Sequence, residues 1–244
     1  MTKVEDVAIV DAPCLEMFLL FMAGMNDATS SRIKIGRAPN LRVLGYLEPR
    51  EHVLEIGNTV ISAGTKASPS TVVPSVNILG LEVRFAVRNE VKKVPSFLRC
   101  FPNIQTLHVK SATADEATGK ASLKLWKEGG PITCVQRHMK KVVFHEFKGS
   151  INETVFLKFI AENARFLEKM VIVVAYACYS SGEDVNSTLK PLTCAKWVSG
   201  TCKLQVFKSP FEGTTGSPVY DIRLASEFSQ ITDPFDLIYY RESL

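Results

Sequence analysis

"APNLRVLGYL", residues 38–47, is a phrase to which the chain keeps returning. "APCLEMFLLF" stands 26 residues earlier, and "FPNIQTLHVK" begins 63 residues later, at Phe101. Aligned, the copies share an apolar residue, two variable ones, a second apolar residue, one variable one and a third apolar residue. The best copies place these anchors at Leu15/Phe18/Leu20, Leu41/Leu44/Tyr46 and Val76/Leu79/Leu81. They continue at Ile104/Leu107/Val109, Met139/Val142/Phe144 and Leu167/Met170/Ile172. Successive first anchors lie 26, 35, 28, 35 and 28 residues apart.

The second and third anchors are two residues apart, so they point to one face of a short strand, and the first anchor tucks under the same core. One such strand cannot bury its apolar face alone. Stacked in a parallel ladder, each row of anchors packs on the next. This is the L-x-x-L-x-L core of a leucine-rich repeat with irregular lengths. Pro13, Pro39, Pro74 and Pro102 keep one register ahead of the phrase, where no backbone N–H need be donated. In the opening phrase, Leu41, Leu44 and Tyr46 are therefore expected to face the core, and Val43, Gly45 and Leu47 to face outward.

Between the copies, "SINETVFLKFIAENARFLEKM" predicts a helix: Ser150 and Glu153 form a capping box, and Phe156, Phe159, Ile160 and Asn163 follow at helical spacing. "VKKVPSFLRCFP" fits a short helical turn. "RIKIG" (32–36) and "HVLEIGNTVI" (52–61) read as additional short strands. Residues 62–73, 111–120 and 180–187 are small and polar and read as loops. After the strand at 202–208, the remaining residues read as a tail with little periodicity.

Composition sets the limits on function. Of the 244 residues, 46% are hydrophobic and 22% charged, an ordinary globular balance. A net charge of +4 without basic clusters argues against nucleic-acid binding. No stretch approaches the roughly 18 to 20 apolar residues needed to span a bilayer. Six cysteines without a C-x-x-C pair, behind an N-terminus that lacks a secretory leader, predict reduced thiols in the cytosol or nucleus.

The catalytic motifs fail in turn. "ATGKAS" lacks the first glycine of a phosphate-binding loop, where Ala114 stands, and "FHEFKG" lacks the second histidine of a zinc helix. His52, His108, His138 and His145 are too dispersed in sequence to suggest a ligand set. No active site, cofactor or metal site is expected.

The partner-binding candidates are the variable strand positions that point away from the core. In the later copies these are Glu82, Thr106, His108, Lys110, Lys141, His145 and Lys169, a polar and mildly basic stripe. In the earlier copies the same positions hold Met17, Leu19, Phe21, Val43 and Leu47, which form either a covered second core or a contact patch.

From about Glu5 to Phe207 the chain resembles the C-terminal part of plant F-box proteins that pair leucine-rich repeats with an FBD domain, especially grass members. The residues carrying the resemblance are "APNLRVLGYLEP", "VPSVNILGLEVRF", "SFLRCFPNIQTLHV" and above all "MKKVVFHEFKGSINETVFLKFIAENARFLEKMVI". The resemblance implies an α/β fold: an irregular leucine-rich-repeat solenoid, a parallel strand ladder with helices and loops on its outer face, ending in an FBD unit. It divides the chain into repeats over 1–125, an FBD domain over 126–208 and a C-terminal tail over 209–244. It also implies a non-enzymatic module that recognises a protein, still unidentified, for ubiquitination. A Skp-type adaptor is expected as a partner only if an F-box lies upstream. No F-box is read in these residues, which leaves a ligase-independent binder as the alternative. It also predicts an open ladder edge near Leu15 and poor solubility.

Overall fold

The computed structural model describes residues 6–20, 31–114, 119, 123–128, 130–175, 178, 182–209 and 233–236. In chain order the N-terminal half gives β1 (Asp6–Asp11), β2 (Met17–Leu19), β3 (Ser31–Arg37), β4 (Val43–Leu47), β5 (His52–Ile56), β6 (Thr59–Val60) and β7 (Ile78–Val83). There follow α1 (Arg88–Val91), α2 (Val94–Cys100), β8 (Thr106–Ser111), α3 (Leu123–Lys127), α4 (Thr133–Arg137) and β9 (Lys141–Phe147). The last elements are α5 (Ile151–Asn163), β10 (Lys169–Val174), α6 (Gly182–Thr193) and β11 (Lys203–Lys208). The fold is mixed α/β.

The repeated phrases form one parallel, seven-stranded sheet ordered β11-β10-β9-β8-β7-β4-β2, so spatial order follows chain order. The middle anchors stand in a single row: Phe18 pairs Leu44, Leu44 pairs Leu79, Leu79 pairs Leu107, Leu107 pairs Val142, and Val142 pairs Met170. Just before each strand the same contact recurs. The carbonyls of Glu16, Arg42, Asn77, Gln105 and Lys140 each accept two successive backbone N–H groups from the next copy. The residue after the repeat proline also reaches back one copy. Asn40 Nδ2 donates to Pro13 O at 2.7 Å, Asn103 Nδ2 to Pro74 O at 2.9 Å, and Ser75 Oγ to Ala38 O at 3.2 Å.

What covers the anchors changes along the chain. In the first copies the return segments build a second sheet, ordered β1-β3-β5-β6, parallel except for the β5–β6 pair. In the later copies, helices take that place. One continuous core runs from Ile9 and Ile33 in the second sheet to Phe156 and Ile160 of α5 and Leu192 of α6. Residues 32–36 and 52–61 do hold strands, as expected, and their place is this second layer.

Three readings are corrected. Tyr46 does not face the core. Its place is taken by Leu47, which is fully buried and pairs Leu81, because the β4–β7 register shifts between Leu44 and Leu47. Gly45 makes the shift: its φ of +146° suits glycine, and a Cβ there would lie 2.7 Å from the backbone of Gly80. The second correction is that residues 182–187 are helix, not loop. In α6 Leu189 and Leu192 are buried in the core and Val185 packs against it, and that spacing of four and three residues outweighs the Ser, Gly and Asn around it. Finally, the stretch after Phe207 is not all tail, because Asp233–Asp236 is packed onto the sheet. Phe21 lies outside the described residues.

Candidate protein-binding face

Side chains alternate across a strand, so the face opposite the core is built from every second residue of β7 to β10. All seven candidates lie there. Register sets them in two rows, Thr106–Lys141–Lys169 and Glu82–Lys110–His145, with His108 between. Lys110 Nζ donates to Glu82 Oε2 at 3.1 Å.

The histidines that seemed dispersed are partly brought together. His108 Nδ1 and His145 Nε2 are 3.2 Å apart, and the rings stack with centroids 5.6 Å apart. Their strands are neighbours, which a sequence separation of 37 residues conceals. Burial pushes His145 well below the usual histidine range, and the charges of His108, Lys110 and Lys141 add to the effect. His138 lies elsewhere, in a cleft of about 450 Å³ at the N-terminal ends of β9 and β10, beside Arg137 and Arg165.

The stripe is not the exposed surface expected. His108 and His145 are 0% and 1% exposed and Lys110 6%, while Thr106, Lys141, Lys169 and Glu82 are half-buried. Across its middle lies a turn, Asp233-Pro-Phe-Asp236. Asp233 Oδ1 accepts the Phe235 N–H at 3.1 Å, and the Asp236 N–H reaches Asp233 O at 3.3 Å. Asp233 Oδ2 lies 3.0 Å from His108 Nε2, and Lys141 is ion-paired to Asp236. The Phe235 ring meets Tyr46 edge-on at 4.8 Å and His108 at 5.1 Å. It sits over Gly80, where a Cβ would come within 3.1 Å of the ring. Burial alone would raise the Asp233 carboxyl. The hydrogen bond and charge of His108, with Lys141 and the Phe235 amide, hold it below its ordinary value.

In the early copies the covered-core alternative holds around this ring. Val43, Tyr46 and Phe235 are buried together, and Met17, Leu19 and Ile78 pack against them. The sequence did carry a signal for the turn, since Asp followed by Pro is the start of a type I turn.

His108, Asp233 and Asp236 place ligand atoms within 4.8 Å of one another, the arrangement among the described residues nearest to a metal site. The Lys141 ammonium already contacts Asp236 and lies 4.0 Å from Asp233. A divalent cation would face that positive charge, so the trio fits an ion-pair network better than a metal centre.

Two family models match the chain. Residues 1–109 match "FBD-associated F-box protein At5g56370, LRR repeats", and residues 127–172 match FBD. This is a leucine-rich-repeat chain with an FBD domain. The FBD match covers β9, the capped helix α5 and the start of β10, the block that carried the resemblance in sequence. No F-box was detected alongside these two matches. Searches of curated proteins and of solved structures found no match. The matched families are typically non-enzymatic interaction modules, which points to protein partners. Among the described residues no helix is long and apolar enough to cross a membrane.

Proposed function

We propose that this leucine-rich-repeat and FBD chain is a non-enzymatic recognition module, a solenoid that takes a protein partner on the polar face of its seven-stranded sheet. The observation that carries the reading is the pair of polar rows that register assembles there from β7 to β10. Glu82, Thr106, His108, Lys110, Lys141, His145 and Lys169 are its contact residues. The aligned anchors and the continuous core support the solenoid. The F-box in the matched family's name supports a role in choosing proteins for a ubiquitin ligase, reached through a Skp-type adaptor when an F-box precedes these residues. Six free cysteines favour the cytosol or nucleus.

The face is tested with a photo-crosslinking amino acid at Thr106 in the full chain, exposed to an extract of the source tissue. The reading requires discrete protein adducts that disappear when Lys141→Glu and Lys169→Glu are added. Adducts indifferent to those charge reversals would refute it. The ligase role is tested on the transcript: an in-frame F-box upstream of Met1 supports it, and an untranslated leader leaves a ligase-independent binder.

A further inference from the structure

The Asp233–Asp236 turn is held by three contacts of different chemistry. One carboxylate meets an imidazole, one meets an ammonium, and an aromatic ring fills a socket between them. The socket is shaped for a ring. Gly80 has no side chain, and the ring seats between Tyr46 on one side and His108 on the other. The polarity is matched as well, since one carboxylate meets the imidazole of His108 and the other the ammonium of Lys141.

A segment whose only task is to cover apolar surface has no need of this pattern. Buried ion pairs give little net stability compared with apolar residues of the same volume, but they discriminate strongly between partners. Among the described residues the turn adds no strand to the sheet, and in the chain it begins 24 residues after Ser209. Among those residues its polar contacts with the rows fall at His108 and Lys141, in the middle of the face.

We infer that the turn is an internal occupant of a peptide-binding socket, and that the socket takes a partner segment of the same chemistry: an aromatic side chain flanked within three residues by two carboxylates. This rests on the polar face being the recognition face, and it adds the partner's chemistry and a means of control. The partner must displace a covalently attached competitor, which acts at an effective concentration on the order of millimolar. Recognition is therefore weak until the turn is released or outcompeted.

The probe is a fluorescein-labelled peptide of residues 231–238, ITDPFDLI, followed by anisotropy against the full chain. The native chain is compared with a release variant carrying D233N, F235A and D236N, which leaves the socket residues unchanged. The expected result is saturable binding to the release variant, at least tenfold weaker binding to the native chain, and at least tenfold weaker binding of a peptide carrying F235A. Adding K141E to the release variant should weaken binding of the parent peptide at least tenfold. Absence of saturable binding to the release variant, or equal affinity for both chains, would overturn the inference.

If the release variant does not fold, 4-fluorophenylalanine is placed at position 235 of the otherwise native chain and its 19F resonance is followed. Excess unlabelled peptide in the millimolar range should move the resonance to its released position, and an unmoved resonance counts against the socket. Adducts at Thr106 without peptide binding would leave the recognition face standing and remove only this partner chemistry.

Discussion

At the scale of single residues, two glycines decide how the polar face is shaped. Gly45 and Gly80 touch across adjacent strands, and the register slip at Gly45 turns Tyr46 out of the core and towards Phe235. Gly45→Ala adds a Cβ 2.7 Å from backbone atoms at a φ of +146°. It should cost about 1–3 kcal/mol, read from urea denaturation. Gly64 also has positive φ, +87°, but nothing lies within 4 Å of its Cβ position. Gly64→Ala should therefore cost less than Gly45→Ala, and equal midpoints for the two variants would contradict this account. Neither glycine of the contact could be singled out in sequence. "VLGYL" alternates well enough to place Tyr46 inside, and only the pairing of Leu47 with Leu81 shows the slip.

At the scale of elements, α5 was readable because its signals are local. Ser150 Oγ accepts the Glu153 N–H at 3.3 Å, and Glu153 Oε2 accepts the Ser150 N–H at 2.7 Å. Ser150→Ala leaves one of these amides without its acceptor and should cost about 1 kcal/mol, whereas Ser150→Gly should cost only a few tenths. Thermal unfolding of the two variants checks the order, and the reverse order would show that the cap is not what holds this helix end. The helix α6 is hidden in the sequence for a related reason. Its Gly, Ser and Asn residues argue locally for a loop, while Leu189 and Leu192 become decisive only once a core exists to receive them. For the Asp233–Asp236 turn, the Asp-Pro start marks a turn but says nothing about which surface it meets.

At the scale of the whole molecule, buried ionisable groups give stability a pH dependence with opposing parts. Burial lowers His52 to about 4, and its Nδ1 accepts the Glu48 N–H at 2.9 Å, which requires the neutral ring. His145 is lowered as well. For both, the unfolded chain takes up protons first, so stability is lost as pH falls below about 6.5. Burial raises Glu48 to about 7, and the charges of Glu82 and Glu51 add to the effect. For Glu48 the folded chain holds the proton longer, so stability is lost as pH rises from 4.5 to 7. Glu48→Gln removes that second part. Its melting temperature relative to the native chain should rise steadily with pH across that window, and a constant difference would show that Glu48 does not titrate there. Asp233, held below its ordinary 3.8, keeps its contribution until pH falls under that value.

The sequence by itself determined the ladder: six repeated phrases, four of them led by a proline, their spacing, and which residues form the row of middle anchors from Phe18 to Met170. These follow from periodicity and chain connectivity, which short stretches of sequence contain in full. It also placed the seven polar residues on one face, because alternation along a strand is a local rule. Only the tertiary structure decided that Leu47 displaces Tyr46, that His108 meets His145, and that Asp233, Phe235 and Asp236 lie across them. His108 meets His145 across 37 positions of the chain and Asp233 across 125. Such contacts arise from packing shape and charge pairing between distant segments, and no local pattern records them.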